Sequence, residues 1–172
     1  NAASFRGSLT EGGVAPGELI TIFGQNMGPA TPVTLQLDGR GFVANRLGGT
    51  RVLFDGTPAP MIVTSAGQLS AVAPYELEGK STVSVQVEYE GRLSEPVSMP
   101  VTPNAPGIFT QNATGSGAAS VIRQNGELIT AANPAAVGEV LTLFATGEGP
   151  TNPTGIDGKP TDFPLPRPRQ EV

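Results

Sequence analysis

One segment of this chain occurs twice, and no other feature limits its fold so strongly. Val14-Ala-Pro-Gly-Glu-Leu-Ile-Thr-Ile-Phe-Gly-Gln-Asn-Met-Gly-Pro29 returns as Ala135-Ala-Val-Gly-Glu-Val-Leu-Thr-Leu-Phe-Ala-Thr-Gly-Glu-Gly-Pro150. Laying Val14–Pro32 on Ala135–Pro153 without a gap gives eight identities: Ala15/Ala136, Gly17/Gly138, Glu18/Glu139, Thr21/Thr142, Phe23/Phe144, Gly28/Gly149, Pro29/Pro150 and Pro32/Pro153. About one or two would arise by chance at average residue usage, so the segment is an internal repeat. Most mismatches exchange one aliphatic for another, as in Leu19/Val140 and Ile20/Leu141. Each copy reads as a short buried strand, opened by Gly-Glu and closed by a Gly-Pro turn.

The remainder of the chain agrees with strands joined by many turns. With 23 Gly and 17 Pro among 172 residues, few stretches hold the run of strong helix formers that a helix needs. Spaced Val, Ile, Leu and Phe runs supply a core, which argues against disorder. Strands are expected near 18–24, 34–37, 50–54, 61–64 and 68–73, with Asp55-Gly56 as a hairpin turn. The clearest is Ser81–Glu90, where Val83, Val85, Val87 and Tyr89 alternate with Ser84, Gln86, Glu88 and Glu90. That period of two puts the valines on a core and the acids in water. Pro96 and Pro100 confine the next strand, 92–101, to an edge or break it. Beyond Thr102-Pro-Asn-Ala-Pro106 lie strands near 118–123 and 128–130, then the second copy of the repeat. Pro164-Leu-Pro-Arg-Pro168 is extended or turn-like.

Composition excludes several kinds of chemistry. The net charge is −5 and the basic residues are scattered, so no stripe exists to displace the counterions of nucleic acid. Cysteine, histidine and tryptophan are absent. That removes disulfides, thiolate nucleophiles and zinc thiolates, together with the usual general base and transition-metal ligand. No apolar run is long enough to span a membrane as a helix. A start at Asn1 without initiator Met or signal peptide suggests a processed chain, which favours export. The spaced acids Glu76/Glu78 and Glu88/Glu90 read as solvent-facing strand positions and not as a glycosidase pair. Glu148, Asn152, Asp157 and Asp162 share a Gly/Pro-rich loop, but their spacing fits no calcium loop. Ser65 and Ser70 lack a nucleophile elbow, and Lys80 or Lys159 offers only a remote route to a Ser-Lys dyad or an isopeptide crosslink. No catalytic, cofactor-binding or metal residue is expected, and no cofactor.

The order Gly17-Glu-Leu-Ile-Thr-Ile-Phe-Gly-Gln-Asn-Met-Gly28, then Arg51-Val-Leu-Phe-Asp-Gly-Thr-Pro-Ala-Pro60, then Val83–Tyr89 resembles the IPT/TIG family of immunoglobulin-like domains. The wording of Asn1-Ala-Ala-Ser-Phe5, Ala71-Val-Ala-Pro-Tyr75, Ala105-Pro-Gly-Ile-Phe109 and Ala145-Thr-Gly-Glu-Gly-Pro150 is also similar to an uncharacterised C-terminal domain family first named from Solibacter. The resemblance implies tandem immunoglobulin-like units in secreted or surface bacterial proteins. It brings no catalytic residue to transfer.

These readings combine into an all-β chain: an immunoglobulin-like β-sandwich over residues 1–108, followed by an incomplete second unit of the same type over 109–172. By the repeat offset Arg51 matches Val172, so the second unit stops where the first is starting its second major strand. About sixty residues with one strongly apolar strand do not bury enough surface to offset chain entropy. Val140, Leu141, Leu143 and Phe144 therefore need cover: from the first unit, from strands of a neighbouring chain, or from the remainder of a longer protein. The Asn1–Thr10 arm, with Phe5 and Leu9, is a candidate donor strand. The expected function is a non-enzymatic extracellular structural or adhesion module of a fibre or surface assembly, with self-association or neighbouring chains as partners. A glycan- or calcium-binding accessory domain of a larger secreted protein is the alternative. Neither a nucleic acid nor a membrane span is expected.

Overall fold

The computed structural model describes residues 1–4 and 12–170. In chain order the strands are β1 (Leu19–Phe23), β2 (Val33–Thr34), β3 (Thr50–Phe54), β4 (Thr57–Pro58), β5 (Met61–Thr64), β6 (Gln68–Val72), β7 (Thr82–Tyr89), β8 (Arg92–Leu93) and β9 (Val97–Pro100). They continue with β10 (Gly107–Ile108), β11 (Val121–Arg123), β12 (Leu141–Leu143), β13 (Ala145–Thr146), β14 (Thr151–Asn152) and β15 (Arg167–Pro168). A single turn of 3-10 helix at Tyr75–Leu77 is the one helical element among the described residues.

The first nine strands build two antiparallel sheets. One has the order β1-β6-β5-β2; the other runs β4-β3-β7-β8, with β9 also paired to β7. Alternation dictates which side chains each sheet contributes. Val52 and Phe54 from β3, Met61 from β5, Leu69 and Ala71 from β6, and Val83 from β7 are all buried and meet between the sheets. A parallel bridge from Val14 to Val101 ties the approach to β1 onto the end of β9, so the chain leading into β1 closes one side of the sandwich.

The turns are those that the residue types demand. Asp55 and Gly56 have φ of 49° and 86°, and Glu90 and Gly91 have 48° and 76°. Both pairs are two-residue hairpins of the doubly left-handed kind that matches strand twist. Proline decides where strands stop: the stretch expected over 92–101 is broken into β8 and β9, with Pro96 in the gap. The strand expected near 34–37 is reduced to Val33–Thr34, and Leu37 makes only an isolated bridge to Val43. The segment 128–130 forms no strand, only the bridges Ile122–Leu128 and Thr130–Asn133.

One expectation needs correction. Glu88 does not stand in water; it is 7% exposed. Arg51 Nη2 donates to its Oε2 at 2.6 Å and Arg46 Nη2 to its Oε1 at 2.7 Å. The two guanidiniums roof the outer face of this sheet, and chiefly Arg51 holds the carboxyl below its ordinary pKa. Alternation names the face on which a residue sits, but it does not say what long side chains fold over it.

The last six strands form three separate two-stranded pairs: β10 with β13, β11 with β12, and β14 with β15.

Candidate functional site

The repeated motif is opened by the same turn in both copies. In the first, Glu18 N–H donates to the Ala15 carbonyl across Pro16-Gly17, with Gly17 at φ 74°. In the second, Glu139 N–H donates to the Ala136 carbonyl across Val137-Gly138, with Gly138 at φ 84°. A left-handed residue in the third turn position is what glycine supplies at least cost. The glutamate then folds back on its own turn: Ala15 N–H donates to Glu18 Oε2 at 2.7 Å, and Ala136 N–H to Glu139 Oε2 at 2.9 Å.

From that common start the copies diverge. Glu18 is fully buried, with the Asn1 backbone nitrogen 3.2 Å from Oε1 as a charge contact without hydrogen-bond geometry. Burial pushes its pKa up more than the Ala15 N–H and the charge at Asn1 bring it down. Glu139 is instead covered by Arg123, whose Nε lies 2.7 Å from Oε1. The Arg123 Nη2 also donates to the Pro134 carbonyl at 2.8 Å.

The strands that follow differ more. β1 pairs with β6 over its whole length, Leu19 opposite Val72 through Phe23 opposite Gln68. Among the described residues its equivalent β12 pairs only with β11, Leu141 opposite Arg123 and Leu143 opposite Val121. Ile20 is 9% exposed, whereas its counterpart Leu141 is 37% exposed. Leu143, the counterpart of partly buried Ile22, is 49% exposed, and Val140 is 65% exposed. Phe144 at 45% differs less, because Phe23 also looks outward at 62%. The uncovered core face of the second copy is therefore Leu141 and Leu143, with Val137 and Val140 beside it. Phe5 and Leu9, the remaining residues expected at an interface, lie outside the described residues.

Beyond β12 the chain returns to the first unit. Thr146, 7% exposed, accepts the Leu19 N–H on its hydroxyl at 2.8 Å. Asn1 Nδ2 donates to the Ala105 carbonyl at 2.7 Å. A Cβ on Gly147 or Gly149 would strike the backbone oxygens of Ala105 and Pro103, so only glycine fits there. Asp157 accepts the Tyr75 N–H at 2.9 Å, and burial raises the pKa of both side chains. Arg169 bonds Glu78 at 2.8 Å, the Thr151 carbonyl at 2.9 Å and the Thr154 hydroxyl. Sequence reasoning missed Thr146, Asp157 and Arg169 as joint residues. Their signal lay in the Gly-x-Gly-Pro spacing, which marks a tight approach without naming what is approached.

Two of the acids in that Gly/Pro-rich loop are employed elsewhere: Asp157 on Tyr75, and Asp162 in an ion pair with Lys159 at 3.2 Å. No group of three acids that could hold a metal ion exists among the described residues. Lys80 pairs with Asp55 at 2.7 Å on the surface. An apolar cavity of about 680 Å³ lies between the two sheets, walled by Ile20, Ile22, Met27, Val85, Val87 and Met99. No helix among the described residues is long and apolar enough to cross a membrane.

Among known families, the one described as the IPT/TIG domain matches residues 8–101. Searches of curated proteins and of solved structures returned no match. The match spans the two-sheet sandwich and more than half of the chain, and IPT/TIG domains are immunoglobulin-like modules of non-catalytic type. On its fold and its sequence alike, this chain belongs to the IPT/TIG family.

Proposed function

We propose that this protein is a non-enzymatic structural or adhesion module, secreted or held at a cell surface, and a subunit of a fibre or surface assembly built by β-strand complementation. The observation that carries the reading is the contrast between β1, packed in a sandwich, and its repeat β12, whose Leu141 and Leu143 are 37% and 49% exposed and which has one strand partner among the described residues. An apolar strand with a free edge is a template for another chain. Family membership supports it, since IPT/TIG modules are often extracellular and often mediate protein interactions. The similarity to the Solibacter-type domains points the same way.

Size-exclusion chromatography and electron microscopy of the purified chain test this. Filaments or discrete oligomers are expected, and Leu143→Lys should return them to monomers. A monomer at all concentrations that binds polysaccharide would replace this reading with that of a glycan-binding accessory domain.

A further inference from the structure

We infer that Asn112 is an attachment site for an N-linked glycan, its carboxamide nitrogen being the acceptor for a sugar delivered on a phosphate leaving group. This rests on the export reading above and names a modification that the exported chain carries.

The sequence narrows the choice to one residue. Asn112-Ala113-Thr114 is an Asn-x-Ser/Thr triplet with a middle residue other than proline, the pattern that a glycosylating enzyme accepts. The chain has one further asparagine followed two places on by Ser or Thr, and its triplet, Asn152-Pro153-Thr154, is closed to transfer by proline.

The structure presents the first triplet openly and in a set shape. Asn112, Ala113 and Thr114 are exposed, on the loop that joins β10 to β11. The base of the loop is closed by the Gln111 N–H on the Ala118 carbonyl at 2.9 Å. From inside, the Thr110 hydroxyl accepts the Thr114 and Gly115 N–H groups at 3.2 and 3.1 Å. A Cβ on Gly115 would strike the Ser4 backbone, so the loop sits directly on the first residues of the chain.

Within the triplet the threonine serves the asparagine. The Thr114 hydroxyl lies 2.9 Å from Asn112 Oδ1 and 3.0 Å from the Ser116 carbonyl, and the Thr114 N–H donates to Oδ1 at 3.2 Å. A backbone N–H can only donate, so the end facing Thr114 is the oxygen and the other end is Nδ2. That nitrogen has no hydrogen-bond partner among the described residues. Gly117 leaves room beside it, since even an added Cβ would stand 3.4 Å away. A role confined to closing the turn would use the oxygen alone and leave the nitrogen without a task.

An amide nitrogen is a weak nucleophile because its lone pair is shared with the carbonyl. Donors on the carbonyl oxygen stabilise the charge that gathers there as the nitrogen reacts, and Thr114 places two at that atom. In the transfer, Nδ2 bonds to the anomeric carbon of the sugar. The bond from that carbon to the phosphate oxygen breaks with its electron pair, and the Nδ2 proton passes to a base of the transferase. The co-substrate is thus a glycosyl phosphate or pyrophosphate, carried on a nucleotide or a lipid.

The test is the mass of the full chain recovered from its natural source, inside cells and outside them. A glycoamidase in heavy-oxygen water then converts the sugar-bearing asparagine to a labelled aspartate. The extracellular chain should carry a glycan, with the label at residue 112 and none at 152. A bare extracellular chain overturns the inference and leaves the export reading standing. Sugar on Asn112 in a chain found only within cells supports the site and removes the export reading, and a bare intracellular chain removes both. The part given to the hydroxyl is read on the purified chain with a soluble N-glycosyltransferase and a nucleotide-activated glucose. Thr114→Ser should retain transfer of one hexose to Asn112. Thr114→Ala should slow it about a hundredfold, with an unchanged urea midpoint showing that the variant is folded. A Thr114→Ala rate equal to that of the wild type overturns that part.

Discussion

Ile20 and Leu141 occupy the same place in two copies of one motif, yet the first is 9% exposed and the second 37%. Both follow a Gly-Glu turn with the same two hydrogen bonds, and both begin a strand of aliphatic residues and threonine. The difference lies wholly in what surrounds them. β1 has β6 beside it and the sheet of β3 and β7 across from it, while β12 has one short neighbour among the described residues. Local sequence suffices to make the turn and the strand, whereas burial needs the other half of a sandwich. Burial is also where most of the stability resides.

The contrast can be broken most forcefully by cutting the same side chain from both copies. Ile20→Ala should cost about 2–4 kcal/mol in urea unfolding, the usual range for a core aliphatic. Leu141→Ala should cost less, about 1–2 kcal/mol in the isolated chain, because 37% of the residue is already exposed. Equal losses would mean that the second copy is covered in solution. The turn glycines come next. A Cβ on Gly17 would lie 2.8 Å from the Tyr75 ring, whereas one on Gly138 would meet nothing within 4 Å. Gly138→Ala should therefore show only the left-handed backbone cost of about 1–2 kcal/mol, and Gly17→Ala should exceed it in thermal unfolding.

The joint between the copies is tested by Thr146→Val. This change keeps the shape and leaves the Leu19 N–H without its acceptor, at a cost of about 1–3 kcal/mol. Amide exchange at Leu19 should rise with it; if Leu19 stays protected, the joint is held by other contacts.

The smallest effect separates the two glutamates. Glu18 has a pKa raised above its ordinary 4.5 by burial, so the folded state holds the proton more tightly than the unfolded one. Its penalty is absent below the ordinary value and complete above the raised one, and stability falls as pH climbs between them. Glu88, Asp55 and Asp38, whose values are lowered by partners, act with the opposite sign as pH falls. The measurement is therefore the difference between wild type and Glu18→Gln across that window, and the variant should lack the decline. Glu139→Gln weakens one partly exposed ion pair and should cost under ~1 kcal/mol.

How far the chain could be read in advance follows the same division. Strands at 50–54 and 61–64 were legible to the residue, because β-branched runs bounded by Asp-Gly or Pro leave few alternatives. The Thr82–Tyr89 alternation disclosed its core face, since Val83 faces the interior as its period requires. What it could not disclose was the Arg46 and Arg51 cover on Glu88, which depends on side chains 42 and 37 positions away. The repeat identified Leu141 and Leu143 as strand residues. Which edge of β12 faces β11 follows from hydrogen-bond direction, the Val121 carbonyl being committed to Ile129 and the Phe144 carbonyl to Phe109, and that direction leaves no trace in residue type.

The bond from the Leu19 amide to the Thr146 hydroxyl has one more consequence. It seals the outer side of the first motif with a residue that belongs to the second, whose own Leu141 and Leu143 are exposed. A string of units connected by repeats of this joint would have polarity: each unit would shelter its predecessor and lie bare toward its successor. Its two termini would be chemically unlike.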